Sequence, residues 1–156
     1  MSAQELRMER HVSAAPESVW QVLTDLDSAA ETLSGVTRVE VLTDGPYAEG
    51  TRWRETRKMF GKEATEEMRV TGVQAPTRTT VEADSGGVHY VTVFTLAPES
   101  GGTRLEMTFT AEQPQGSVMQ KLMWTAFGKL GMKATAKVMT QDLDDIARRA
   151  ESSHHG

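Results

Sequence analysis

Residues 51–70, TRWRETRKMFGKEATEEMRV, read as two β-strands folded back on each other. In Thr51–Met59 one alternate set, Arg52, Arg54, Thr56 and Lys58, is wholly polar and faces water. Thr51, Trp53, Glu55, Arg57 and Met59 therefore share the opposite side. Beyond Gly61 the alternation resumes, with Ala64, Glu66, Met68 and Val70 inward against Glu63, Thr65, Glu67 and Arg69. A type II′ turn on Gly61-Lys62, with glycine at the first central position, would set Arg57 opposite Glu66, Glu55 opposite Met68 and Trp53 opposite Val70.

The same period of two extends outward from this hairpin. Val39 and Val41 alternate with Arg38 and Glu40 before the turn Asp44-Gly45-Pro46. Thr77–Ala83, Val88–Leu96 and Thr103–Glu112 follow as strands, divided by Ser85-Gly86-Gly87 and Ser100-Gly101-Gly102. Near the start, Glu5–Val12 alternates as well, with Leu6, Met8 and Val12 apolar and Arg10 the intruder on their face. That makes about seven strands with short connections, an antiparallel meander.

Three segments break the pattern. Pro16 suits the first position of a short helix whose Val19, Trp20 and Leu23 bury one face. Ser28-Ala-Ala-Glu31 reads as a capping box opening a second short helix that Gly35 ends. Ser117-Val-Met-Gln120 is another capping box, and helical spacing continues to Ala150, roughly 45–50 Å at 1.5 Å per residue. The apolar stripe runs Met119, Met123, Phe127, Leu130, then Met132, Ala136, Met139, Leu143, Ile146; its phase shifts at Gly128 and Gly131, which predicts a bend. The fold class is α+β, a single domain over 1–156 (ordered over about 5–150), with a curved sheet wrapped round one long helix.

Composition removes several chemistries. The 156 residues include no Cys, which excludes disulfides, thiolate metal sites and cysteine nucleophiles. A net charge of −5 argues against a nucleic-acid partner, and no apolar run approaches the ~18 residues of an integral membrane segment. The start MSAQELRMER lacks a secretory apolar core, so a cytoplasmic location is expected. His11 and His89 fall on outward strand faces, His154 and His155 lie in the tail, and no HExxH, GxSxG, GxGxxG or Walker pattern occurs. Neither a metal nor a cofactor is expected.

The inward face carries Arg10, Glu55, Arg57 and Glu66 among Val81, Tyr90, Thr92, Phe94, Leu105, Met107 and Phe109. Buried charges must pair, reach water or meet a ligand. One reading is an Arg57–Glu66 bridge at a cavity rim with Glu55 partly solvated. Another is an anchor for a ligand's carboxylate, hydroxyl or phenol; a third is proton transfer between two carboxylates beside one arginine. The helix acids fit helical pairing, Asp144 with Arg148 and Asp145 with Arg149, beside Asp142. Lys121, Lys129, Lys133 and Lys137 form a solvated stripe, with an acidic membrane surface or anionic partner as the other reading. Val91 and Val93 face outward, as isolated surface valines or a dimer contact, so a monomer or weak homodimer is expected.

Ala14-Ala-Pro-Glu-Ser-Val-Trp20 running to Leu23-Thr-Asp25, then Glu49-Gly-Thr-Arg-Trp53, then Gly102-Thr-Arg-Leu105, resemble the START/Bet v 1-like superfamily (SRPBCC), in its polyketide cyclase/dehydrase-like branch. The resemblance spans roughly Glu5 to Ala150. It implies a helix-grip fold with an apolar cavity; members include lipid and hormone carriers, aromatase/cyclases, and proteins that bind a chaperone or ribosome. The function expected is binding of a small hydrophobic molecule (lipid-, polyketide- or isoprenoid-like) in a cavity of ~300–1,000 Å³ between sheet and helix. Trp53, Met68, Tyr90, Phe94, Met107 and Phe109 would line it from the sheet, Met123 and Phe127 from the helix. Glu55, Arg57 and Glu66 would orient the ligand's polar end. The alternative is an aromatase/cyclase-type enzyme in which Arg57 stabilises an enolate oxygen and Glu55 or Glu66 moves protons. A protein-interaction module with a filled interior is a second alternative.

Overall fold

The computed structural model of the chain describes residues 3–59, 61–85, 87–112 and 118–154, with backbone only at 3–4, 59, 118–132 and 153–154. Strand β1 (Ala3–Val12) leads into helix α1 (Pro16–Thr24), a single 3₁₀ turn (Leu26–Ser28) and helix α2 (Ala29–Thr32). Strands β2 (Val36–Val41), β3 (Arg52–Met59), β4 (Lys62–Gln74), β5 (Arg78–Ser85), β6 (Val88–Glu99) and β7 (Gly102–Glu112) follow, and helix α3 (Val118–His154) closes the chain. All strands join one antiparallel sheet in the order β1-β7-β6-β5-β4-β3-β2. The α+β helix-grip architecture expected from the sequence is the one observed, with strands β4 and β6 longer than their alternation indicated.

The core lies where the C-terminal half of α3 meets β1 and β7. Val12, Leu105 and Met107 from the strands, Ala14 and Val19 from the α1 end, and Met139, Leu143, Ile146, Ala147 and Ala150 from α3 form one buried cluster. Trp20 packs against it and meets Tyr47 edge-on, with ring centroids 6.5 Å apart. Within α3, Met139, Leu143 and Ile146 recur at helical spacing, as the apolar stripe requires. The stripe positions Met119, Met123, Phe127, Leu130 and Met132, the bend expected at Gly128 and Gly131, and the Ser117 cap all lie outside the described side chains.

Four sequence-based expectations are corrected. First, Met59 pairs with Lys62, so Gly61, with φ +76°, takes the last place of a two-residue connection. The turn sits one residue earlier than Gly61-Lys62, with Gly61 in the left-handed conformation at its second position. Every partner consequently moves by two: Trp53 faces Met68, Glu55 faces Glu66 and Arg57 faces Ala64. Second, Ser28 stands at the N-cap of α2 but caps nothing, since it already belongs to the 3₁₀ turn at φ −102°, ψ 3°, away from the extended geometry a capping side chain uses. Leu33, not Gly35, is the C-cap.

Third, Asp144 and Asp145 do not form the expected i,i+4 pairs. Asp144 bonds Arg10, the charged intruder on the inner face of β1. Asp145, 2% exposed, accepts from the Ser34 amide and hydroxyl, both at 2.9 Å, from Gln141 at 3.0 Å and from Arg148 at 3.3 Å. A buried carboxylate takes the donors that desolvation makes most valuable, and the α2–β2 junction supplies a fork of them. Fourth, Arg57 makes no bridge to Glu66; its partners are described with the site below.

On the outer face of the sheet, His89 sits between Asp84 and Glu82, with one ring nitrogen 2.7 Å from each carboxylate. The hydrogen bond to Asp84 raises the His89 pKa above 6.5, burial opposes it, and Glu82 adds to the rise. A histidine held charged in this way stabilises the fold fully below its unfolded value and loses that contribution as pH climbs through the folded one. The thermal midpoint of the wild type should therefore exceed that of His89→Gln at about pH 6 and converge toward it at about pH 9. Equal gaps at both values would contradict the assignment. A second prediction concerns Gly102: a Cβ there would lie 2.2 Å from the Val12 carbonyl oxygen and 3.1 Å from the His11 ring. Gly102→Ala should cost about 1–3 kcal/mol in urea unfolding, because backbone has to move to admit it.

Candidate functional site

Alternation along β3 puts Trp53, Glu55 and Arg57 in a row on the concave face, with Arg52, Arg54 and Lys58 exposed behind them. Across the hollow, Asp142 occupies the buried stripe of α3, three residues from Met139 and next to Leu143. The Arg57 guanidinium joins the two elements. Its Nε donates to Glu55 Oε2 at 2.7 Å, Nη1 to Asp142 Oδ1 at 3.1 Å and Nη2 to Asp142 Oδ2 at 2.8 Å. Trp53 Nε1 donates to the other Glu55 oxygen at 3.4 Å. Glu55 is 8% and Asp142 4% exposed. Such a fork-to-carboxylate pair is shape-matched, and deleting one member would strand the others at a cost of about 3–5 kcal/mol.

The electrostatics follow from burial. Desolvation works against the Arg57 charge, but Asp142 and Glu55 outweigh it and hold the guanidinium more firmly protonated than a free arginine. Burial pushes the Asp142 carboxyl up, the pull of Arg57 opposes this, and Glu55 and Asp145 add to the rise. Of the five Arg57 N–H groups, three are engaged among the described residues, leaving one on each terminal nitrogen.

Two adjoining chambers meet at this cluster. One, of about 120 Å³, lies beneath the short helices, with Val22, Leu23, Leu33, Tyr47, Trp53 and Phe94 in its wall. The other, of about 280 Å³, runs along the sheet toward Ala64, Glu66, Tyr90 and Phe109, with Thr135, Val138 and Met139 of α3 opposite. Glu55, Arg57, Met68, Val81, Thr92, Met107 and Asp142 border both. Tyr90 stacks on Phe109 with centroids 5.5 Å apart and planes at 27°. The walls are predominantly apolar, the usual character of a small-molecule site.

All of the sheet residues expected at the cavity therefore border one or both chambers: Trp53 and Phe94 the smaller, Glu66, Tyr90 and Phe109 the larger, and Glu55, Arg57, Met68 and Met107 the two together. The Met123 and Phe127 side chains lie outside those described. The volume is divided into two chambers, each smaller than the expected 300–1,000 Å³. Arg10 stands apart from the chambers, on the far side of α3 with Asp144 and Leu143.

Asp142, the partner that fixes Arg57, was missed by sequence reasoning, although its i+3 spacing from Met139 and i−4 spacing from Ile146 mark it as an acid on an apolar stripe. Tyr47 was missed as well; it sits in the β2–β3 connection, hydrogen-bonded to Thr79 at 2.8 Å, where no periodicity announces it. Lys133 and Lys137 are exposed, in keeping with a solvated face; the Lys121 and Lys129 side chains lie outside those described. Among the described residues no group of three or more histidine or acidic side chains is arranged to hold a metal, and no helix is long and apolar enough to cross a membrane.

Comparison with known proteins agrees with this architecture. The structure resembles the ZhuI aromatase/cyclase from Streptomyces sp. R1128 at a TM-score of 0.82 and 18% identity, over 96% of this chain and 94% of that one. It resembles TTHA0849 from Thermus thermophilus at a TM-score of 0.80 and 23% identity, over 96% and 99%. Ara h 8.0201 aligns at a TM-score of 0.69 and 11% identity, over 97% and 99%. At these identities the likeness is one of fold. No curated protein matches the sequence. The family model described as "Polyketide cyclase / dehydrase and lipid transport" matches residues 3–151, nearly the whole length. With its Bet v 1-like helix-grip fold, the chain belongs to the polyketide cyclase/dehydrase and lipid transport family.

Proposed function

We propose that the chain reversibly binds a small, largely apolar molecule, lipid-, polyketide- or isoprenoid-like, between the sheet and α3, without covalent chemistry. The observation that carries this reading is the pair of apolar-walled chambers meeting at one polar cluster, Glu55–Arg57–Asp142. A guest gains by burying its surface there, at about 25 cal/mol for each Å² removed from water. The polar cluster fixes which end enters. Family membership supports a hydrophobic ligand, and the adaptable Met68 and Met107 side chains suit irregular apolar shapes.

Thr92 borders both chambers and is half-buried. Thr92→Trp should fill the space and weaken binding of the neutral dye Nile red at least tenfold, with the circular-dichroism spectrum retained. Unchanged dye affinity in that variant would remove the cavity reading.

The cyclase reading has its own support in the raised Asp142 carboxyl beside a firmly charged Arg57, two groups whose proton affinities are pushed apart. In it, a carboxylate of Glu55 or Glu66 takes the proton from carbon, the electron pair forms the enolate, and the free N–H groups of Arg57 hold the developing oxyanion. A poly-β-keto substrate should emerge unchanged from incubation with the wild type if the protein only binds. Turnover that Glu55→Gln lowers by ~10²–10⁴, with affinity held within about tenfold, would establish the enzyme instead.

A further inference from the structure

The register of β3 on β4 places Glu55 and Glu66 directly opposite each other on the concave face. Side chains so placed have Cβ atoms about 5 Å apart, and like charges there repel. Glu55 has Trp53 and Arg57 as partners. Glu66, half-buried at the wall of the larger chamber, has no hydrogen bond or ion pair among the described residues. Asp142 brings a third carboxylate to the same space.

Against these three the described wall holds one cation, Arg57, and its fork is engaged by Glu55 and Asp142. Glu82 also borders the chamber, but its carboxylate turns to the outer face and meets His89 at 2.7 Å. Among the described residues the wall of the larger chamber thus carries surplus negative charge, concentrated on Glu66. That field reaches Tyr90, whose hydroxyl is pushed up by burial and further by Glu66. Beside the carboxylate stand two aromatic faces, Tyr90 and Phe109, already stacked and lining the same space.

Each part favours one chemistry. A guest carboxylate would find Arg57 already paired and three acids around it. A protonated amine would relieve the opposition between Glu55 and Glu66, and an aromatic body would lie along the Tyr90–Phe109 wall. A local conflict of like charges kept inside a cavity belongs to functional or strained sites, and a cationic guest would resolve it. Resting on the binding function proposed above, we infer that the larger chamber selects an aromatic guest bearing a protonated amine, with Glu66 as its counter-charge.

The test uses three probes of one size on the full chain, 1-naphthylmethylamine, 1-naphthylmethanol and 1-naphthoate, with calorimetric affinities near neutral pH and at low salt. The amine should bind roughly tenfold more tightly than the alcohol, and the naphthoate most weakly. Glu66→Gln should bring amine and alcohol within about twofold, whereas Glu67→Gln, on the outer face of the same strand, should keep the wild-type ratio. Naphthoate binding as tightly as the amine, or an amine preference that survives Glu66→Gln, would overturn the charge selection while leaving the cavity intact. Failure of all three probes and of Nile red would remove the binding function itself, and this inference with it.

Discussion

A guanidinium clamped between a strand and a helix holds this molecule's interior in its present form. Arg57 reaches from β3 to Asp142 on α3 with both terminal nitrogens, and its remaining Nε is tied to Glu55. The desolvation of three charges makes such a cluster a poor source of stability compared with an apolar filling of the same volume. Its geometric consequence is different. A bidentate pair with fixed length acts as a strut, setting how closely the helix approaches the β3 side of the sheet. Apolar packing alone would gain by closing that gap, since empty space forfeits dispersion contacts on both walls. The chambers on either side of the strut are what remains.

The helix is held off the sheet on this side and drawn to it on the other. Asp142, Asp144 and Asp145 lie within a single turn, and at about 100° per residue they project in three directions. One meets β3 through Arg57, one meets β1 through Arg10, and one meets the α2–β2 junction through Ser34. Between the first two directions lies the apolar seam of Met139, Leu143, Ile146 and Ala150 against β1, β7 and α1. Burial anchors the helix on that seam, and the acids set its roll about its own axis. That division of labour positions the site: a small rotation of α3 would break the Arg57 fork before it disturbed the core.

Much of this was legible in the sequence, and the limits have physical causes. Facing along β3 and β4 was legible because a side chain's face depends only on the parity of its position, which survives a two-residue slip of register. The register itself was not, since it hung on whether Gly61 opens or closes its turn, and both places accept glycine. The error had a consequence: it paired Arg57 with Glu66 and concealed that Glu66 stands opposite a second acid. Asp142 was obscured differently. An acid in a run of acids and arginines on a helix has a local partner at i,i+4 as its simplest explanation, and only the long-range approach of β3 overrides it. The aromatic and methionine wall needed neither register nor partner, so Trp53, Met68, Tyr90, Phe94, Met107 and Phe109 were identified by parity alone.

The fold does not decide between holding a guest and transforming it, because one scaffold can carry unrelated functions. The charge balance of the interior bears on it more directly. Stabilising an enolate calls for donors aimed at developing negative charge in a site free of opposing anions. Here the single cation among the described wall residues has already given three of its five N–H groups to carboxylates, and a further carboxylate, without a partner among the described residues, stands across the strand pair. An oxyanion formed beside Arg57 would feel Glu55, Asp142 and Glu66 together. The stabilisation its two free donors provide would be offset by three repulsive neighbours in a poorly screening interior. The same arrangement costs a neutral guest little and favours a cationic one. On electrostatic grounds, therefore, the described wall residues favour the proposed binding over the enolate chemistry.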